Sequence, residues 1–186
     1  MKIIETKLKN CLLIEPQVFQ DNRGFFLESF SEKTFSELGI TTTFRQDNHS
    51  MSSKKGVLRG LHFQLPPHTQ TKLVRVTRGS VFDVAVDLRK GSPSFGQWEG
   101  FTLSADNFLM LYIPHGCAHG FCTLEDNTEF MYKNDNFYAP GFEGSIRWDD
   151  PDLQIDWPVD NPILSEKDAK APYFKDFTSP FTYKKD

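Results

Sequence analysis

Apolar and polar residues alternate with a period of two over most of this chain, and that period predicts strands rather than helices. The cleanest case is residues 81–88, where Phe82, Val84, Val86 and Leu88 fall on one face and Asp83 and Asp87 on the other. This is the pattern of a strand with one buried face. Similar runs cover 25–30, 44–50, 57–64, 72–77, 97–103, 108–113, 118–124 and 128–133, punctuated by Gly, Pro, Asn and Asp. Strands recurring roughly every ten residues, with no amphipathic helix between them, predict an antiparallel sandwich or barrel and not an α/β fold. Two short helical segments interrupt the pattern. Ser31 is placed to cap a turn that Gly39 stops, and Ser165 with Asp168 has the spacing of a capping box. From Tyr138 onward the chain is rich in Pro and Asp and predicts an ordered loop tail wrapped on the barrel.

The polar residues that break this pattern carry the candidate chemistry. In the stretch 56–79, GVLRGLHFQLPPHTQTKLVRVTRG, the period predicts a hairpin of two strands joined near Pro66 and Pro67. His62 then shares a face with Leu58 and Gln64, and Lys72 with Val74 and Val76, so the hairpin brings a base and a cation together among apolar residues. Upstream, after the turn Asp21-Asn22-Arg23-Gly24, Glu28 falls between Phe26 and Phe30. Either it pairs with Arg23 at a sheet edge, or it joins the ring of Phe25 or Phe26 in a patch that contacts a nucleoside. Gln46, Asn48 and Ser50 form a row of neutral hydrogen-bonding groups, ordinary on a solvent face and suited to a sugar or phosphate on an inward one. Phe130 and Tyr132 share another face.

Composition narrows the setting. The 186 residues, 38% hydrophobic and with 18 Phe, suit one domain spanning 1–186 with an aromatic-rich β core. A net charge of -4 argues against a nucleic-acid partner, because a polyanion needs a basic face, yet it leaves room for a small anionic ligand at a local cluster. Cys11, Cys117 and Cys122 are odd in number and lack framework spacing, which predicts a reducing compartment. The first apolar run breaks too early for a signal peptide, and no run approaches the roughly 20 residues of a membrane span. The expectation is a soluble cytoplasmic protein without a membrane partner.

The order His62-x-Gln64, Lys72, six residues, Gly79, then Pro114-x-Gly116-x-x-His119 resembles the two signature segments of the cupin superfamily. Metal-binding cupins carry a second His where this chain has Gln64 and a Glu where it has Lys72. A charged ammonium has no lone pair to coordinate with and repels a divalent cation, so no metal is expected. More fully, Leu58-Arg59-Gly60-Leu61-His62-Phe63-Gln64, Arg23-Gly24-x-Phe26-x-Glu28, Gln46-x-Asn48-x-Ser50 and Leu164-Ser165-x-Lys167-Asp168 resemble the dTDP-4-dehydrorhamnose 3,5-epimerase family, from about residue 4 to residue 175. The segment around Asn134 departs somewhat from that pattern, and His49, His68 and His115 fall outside the matched positions as ordinary surface or loop histidines.

The resemblance implies an all-β, cupin-type antiparallel jelly-roll barrel with a few short helices and a loop-rich C-terminal tail. It implies a cofactor-independent isomerase that converts dTDP-4-dehydro-6-deoxy-D-glucose (dTDP-4-keto-6-deoxyglucose) to dTDP-4-dehydro-L-rhamnose by epimerisation at C3 and C5. Its implied catalytic set is His62 as base, Asp168 orienting it, Tyr132 as acid on the opposite sugar face and Lys72 stabilising the C4 enolate. Arg59 and His119 are implied beside the substrate or its diphosphate, and Gln46, Asn48, Tyr138 and Glu143 as further binding positions. Arg23, Phe26 and Glu28 are implied nucleotide contacts, from the neighbouring subunit of a homodimer whose N-terminal strands exchange. Strand period conflicts with this on one point: Arg59 and His62 face opposite ways unless Gly60 hosts a bulge or Arg59 sits at the barrel mouth. Two other readings stay open on sequence: a deoxysugar mono-epimerase or ketoisomerase, and a metal-dependent or non-catalytic sugar-binding cupin.

Overall fold

The structure, a computed structural model, describes residues 1–185. In chain order its elements are β1 (Lys2–Glu5), β2 (Leu12–Glu15), β3 (Val18–Asp21), β4 (Gly24–Leu27), α1 (Glu32–Glu37), β5 (Gln46–Ser52), β6 (Leu58–Gln64) and β7 (Lys72–Arg78). There follow β8 (Ser80–Asp87), β9 (Trp98–Ser104), β10 (Met110–Ile113), β11 (Cys117–Thr123), β12 (Thr128–Asn134), β13 (Glu143–Ser145) and α2 (Glu166–Ala169). The strands build an all-β jelly roll from two antiparallel sheets. One has six strands in the order β1-β2-β10-β7-β12-β5, and the other five in the order β13-β6-β11-β8-β9. Among the described residues the hairpin β3–β4 pairs only with itself. Both helices start where sequence placed their caps: Ser31 accepts from the Thr34 N–H and Ser165 from the Asp168 N–H.

Three packed layers hold the sheets. Between them lie Val74, Val76 and Phe130 from one side and Val81, Ala85 and Phe121 from the other, with Phe121 and Phe130 stacked at 4.2 Å. The outer face of the five-stranded sheet, including Leu58, Val84 and Val86, is covered by Leu153, Trp157 and Phe181 of the C-terminal tail. The tail is therefore a layer of the core, each such side chain contributing about 1.5–3 kcal/mol relative to exposure. On the outer face of the six-stranded sheet, Leu73 and Met110 pack under Phe35 of α1.

Two sequence expectations change here. β6 and β7 are not a hairpin: β6 pairs with β11 and β13, β7 with β10 and β12, so the two strands belong to opposite sheets. Period two fixes which face a residue takes but not which neighbour its strand takes. β8, read as half-buried, is buried on both faces, and Asp83 and Asp87 are fully shielded. Its apolar face meets the tail, and its carboxylates point between the sheets. Asp87 accepts from Arg89 Nε and Nη2, both at 2.8 Å, and from the Ser92 and Ser94 hydroxyls, which meets the requirement that a buried charge be paired and hydrogen-bonded.

Candidate active site

Cross-strand register on the six-stranded sheet stacks inward side chains in rows: Lys72, Asn134 and Gln46, then Val74, Tyr132 and Asn48, then Val76, Phe130 and Ser50. The rows grade from polar to apolar along the barrel. The neutral row on β5 faces inward, with Asp47, His49 and Met51 exposed on the other side. Facing these rows, β6 supplies Arg59 and His62, and β11 supplies His119 and Phe121.

The parity conflict is resolved by a bulge. His119 pairs with His62 but Phe121 with Arg59, so the register slips by one residue on β6. Gly60 occupies the slip, at φ +130°, and a Cβ there would lie 2.5 Å from Gly120 Cα. Arg59 and His62 therefore both line the cavity, whereas Leu58, expected on the His62 face, packs under the tail.

Two adjoining cavities, about 220 and 280 Å³, share His62, Lys72, Tyr132 and Lys167. The first is walled by Gln46, Asn48, Gln64, Asn134, Tyr138 and Glu143. The second adds Arg59, His119, Asp168 and an aromatic floor of Phe121 and Phe130. At the first, the Tyr138 hydroxyl donates to Glu143 Oε1 at 3.0 Å, and Lys167 Nζ lies 3.0 Å from the same oxygen.

His62 Nε2 is 2.5 Å from Asp168 Oδ1, and Ser165 Oγ donates to Asp168 Oδ2 at 2.8 Å. Only the Ser165 half of the expected capping box forms, because the Asp168 carboxylate is taken up by the Ser165 hydroxyl and by His62 and not by the Ser165 N–H. Burial alone would raise the Asp168 carboxyl, but the hydrogen bond and charge of His62 outweigh it and hold the carboxyl below its usual range. Deeper in, His119 Nε2 is 2.9 Å from Asp83 Oδ2. Burial lowers the His119 imidazole despite the opposing effect of Asp83. Burial also depresses the Lys72 ammonium to about 8, with Asp83 as a partial offset. The Tyr132 hydroxyl is pushed up by burial, with Arg59 opposing. Lys72 Nζ sits 5.9 Å from the Tyr132 ring centroid.

Three expected positions are not in this cluster. Arg23 is bidentate to Asp21 on the β3–β4 turn, Phe26 is 69% exposed, and Glu28 accepts from Thr34 Oγ1 at 2.7 Å. Glu28 thus pairs with the start of α1 and not with Arg23. The N-terminal strands are also short, four residues each. Conversely, Asp83 and Lys167 belong to the site and escaped sequence reasoning. Lys167 stood within a matched motif, and the only signal for Asp83 was a carboxylate in an otherwise apolar strand. The donor set does not fit a divalent metal: Gln64 spends its amide on loop backbone, and an ammonium stands in the carboxylate position.

The sequence profile of the dTDP-4-dehydrorhamnose 3,5-epimerase family matches residues 5–176. The chain belongs to this family. It is 55% identical over 177 residues to the family's enzyme from Shigella flexneri, covering 95% of this chain and 97% of that one. A Legionella pneumophila 3,5-epimerase solved in complex with dTDP-4-keto-L-rhamnose superposes with a TM-score of 0.94 at 48% identity, covering 99% of each chain. The Bacillus anthracis family member, solved with TDP and pyrophosphate bound, gives 0.91 at 50% identity, over 92% of this chain and 98% of that one. As a member of the family the chain is an isomerase.

Proposed function

We propose that this protein is the 3,5-epimerase that converts dTDP-4-dehydro-6-deoxy-D-glucose to dTDP-4-dehydro-L-rhamnose in dTDP-L-rhamnose biosynthesis. The observation that carries the reading is the placement of base and acid on opposite walls of one cavity, His62 on the five-stranded sheet and Tyr132 on the six-stranded one. Inverting a stereocentre requires a proton to leave one face and another to arrive on the opposite face. His62 Nε2 is engaged by Asp168, which fixes the tautomer and orientation of a neutral imidazole, much as in a catalytic triad. His62 takes the proton from the carbon next to the C4 ketone, and the electron pair moves onto the C4 oxygen as an enolate. The Lys72 ammonium stabilises that oxyanion, a contribution on the order of 3–4 kcal/mol in a water-poor site. Tyr132 then delivers its proton to the other face, and exchange with solvent resets both groups. The ketone acidifies C3 and C5 alike, so one acid–base pair serves both, and the chemistry requires no cofactor.

Arg59 and His119 flank the substrate or its diphosphate, and Gln46, Asn48, Tyr138 and Glu143 bind at the first cavity. Arg23, Phe26 and Glu28 contact the nucleotide from the neighbouring subunit of a homodimer. In support, β3–β4 pairs with no other strand among the described residues and leaves Phe19, Phe25 and Phe26 exposed. Three buried free cysteines fit a cytoplasmic setting for this single domain. The test is NMR of dTDP-4-keto-6-deoxyglucose incubated with the protein in deuterated water. Deuterium is expected at both C3 and C5; incorporation at one carbon alone overturns the assignment in favour of a mono-epimerase.

A further inference from the structure

The segment joining β12 to β13 brings Tyr138 to the cavity, and its backbone is fastened in an unusual way. Asp135 N–H still reaches Thr71 O, and Phe142 N–H reaches Ala139 O, but between these points the anchors are side-chain amides. Gln64 Oε1 accepts from Ala139 N–H at 2.8 Å, and Gln64 Nε2 donates to His68 O at 3.1 Å and Phe137 O at 3.4 Å. Gln46 Oε1 accepts from Tyr138 N–H at 3.0 Å, and Gln70 Nε2 donates to Asn136 O at 3.0 Å. All three glutamines line the same cavity. Asn136 Nδ2 adds longer bonds to Pro67 O and Thr69 O, at 3.4 and 3.5 Å, so the loop is tied by side-chain amides and not by strand pairing.

Gln64 is the central tie. It is 6% exposed and lies two residues beyond His62 on the same strand. Its amide offers two donors and an acceptor at one point, and all three are used. A histidine at this position has one donor and one acceptor, and no neutral residue of similar reach makes the same three bonds. Tyr138, half-exposed, is held directly by Gln46 at its N–H and by Glu143 at its hydroxyl, while Gln64 fixes the residues on either side of it.

We propose that Gln64 is a positioning residue: it fastens the 65–69 and 136–139 loops to β6, holds Tyr138 at the cavity, and so sets substrate affinity and not the chemical step. This rests on the epimerase reading and adds to it a residue whose partners are all backbone. Backbone amides released from a side-chain anchor exchange faster with solvent, and a mis-set binding loop weakens ground-state and transition-state binding alike.

The test is Gln64→Met. Hydrogen exchange of the 136–141 peptide should accelerate about tenfold or more, with β6 and β12 unchanged. KM for dTDP-4-keto-6-deoxyglucose should rise about tenfold, with kcat held within about threefold. Unchanged exchange in that peptide overturns the proposal, as does a fall in kcat at constant KM. Should Gln64→Met fail to fold, Gln64→Glu keeps the acceptor for Ala139 N–H but sets a carboxylate against two carbonyls, and must show the same KM-against-kcat split. If wild-type protein exchanges neither sugar proton, the epimerase reading fails by itself. Exchange of the 136–141 peptide in Gln64→Met against wild type then still decides whether Gln64 holds the loop.

Discussion

His62 and His119 face each other across the β6–β11 pair, and each bonds a carboxylate, at 2.5 Å to Asp168 and 2.9 Å to Asp83. Their surroundings differ. His62 has a side chain 38% exposed and bonds a residue from the C-terminal tail, whereas His119 is 7% exposed, bonds within its own sheet and lies beside Phe121 and Phe130. The first imidazole is open to the cavity and to solvent. The second is kept from charging by burial, with Lys72 and His62 adding to the effect. The same two residue types therefore make a pair open to the cavity at one depth and a buried hydrogen-bonding wall at another.

The largest expected effect comes from breaking the exposed pair. His62→Ala should lower deuterium incorporation at C3 and C5 together, on the order of 10³–10⁴-fold. Survival of exchange at one carbon would mean that a second base serves it, His119 being the first suspect. Next comes a matched pair of truncations at the two aspartates. Asp168→Ala should reduce kcat on the order of 10²-fold or more by freeing the imidazole tautomer, with a small change in Tm, because a half-exposed His62 can bond water instead. Asp83→Ala leaves a buried imidazole N–H unpaired, about 1–3 kcal/mol, which for a chain of this size lowers Tm by roughly 2–12 °C. Equal Tm losses in calorimetry would erase the distinction drawn between the pairs.

The contrast also shows what a sequence can carry. Strand faces were legible because period two reports a local geometry: Gln46, Asn48 and Ser50 do line one face, as do Lys72, Val74 and Val76. Sheet membership was not, because it depends on pairings many residues apart. The base and cation read as one hairpin stand instead on facing sheets, an arrangement better suited to reaching a sugar from two sides. Asp83 looked like a solvent-facing carboxylate because its partner His119 is 36 residues away. Asp87 looked the same, though its partner Arg89 is only two residues on, because no local rule says that the tail covers the opposite face. Asp168 read equally well as a helix cap and as the partner of His62; its N–H meets the Ser165 cap, and its carboxylate goes to His62 and the Ser165 hydroxyl. The Gln64 ties were invisible for a simpler reason: backbone carbonyls and amides carry no sequence signal.

A smaller effect tests where Lys72 sits relative to the two pairs. Its ammonium is depressed from 10.5 to about 8 by burial, and it must be protonated to stabilise an enolate oxygen. Above that value the competent fraction falls about tenfold per pH unit, so kcat/KM should decline from near pH 8 with unit slope. Tyr132 must also hold its proton, but burial moves its hydroxyl above 10.0, so its limb lies well to the alkaline side. The two groups can therefore be told apart in one profile. Lys72→Met should give a low plateau that continues through pH 9, ending only where Tyr132 ionises. The sign for stability is opposite to that for activity. A lysine depressed on folding binds its proton more tightly in the unfolded chain, so the burial penalty is present in full below pH 8 and is relieved as pH rises toward 10.5. Wild-type protein should accordingly gain stability relative to Lys72→Met over the interval in which it loses activity. An activity limb that persists unchanged in Lys72→Met would assign the titration to another group and remove Lys72 from the oxyanion.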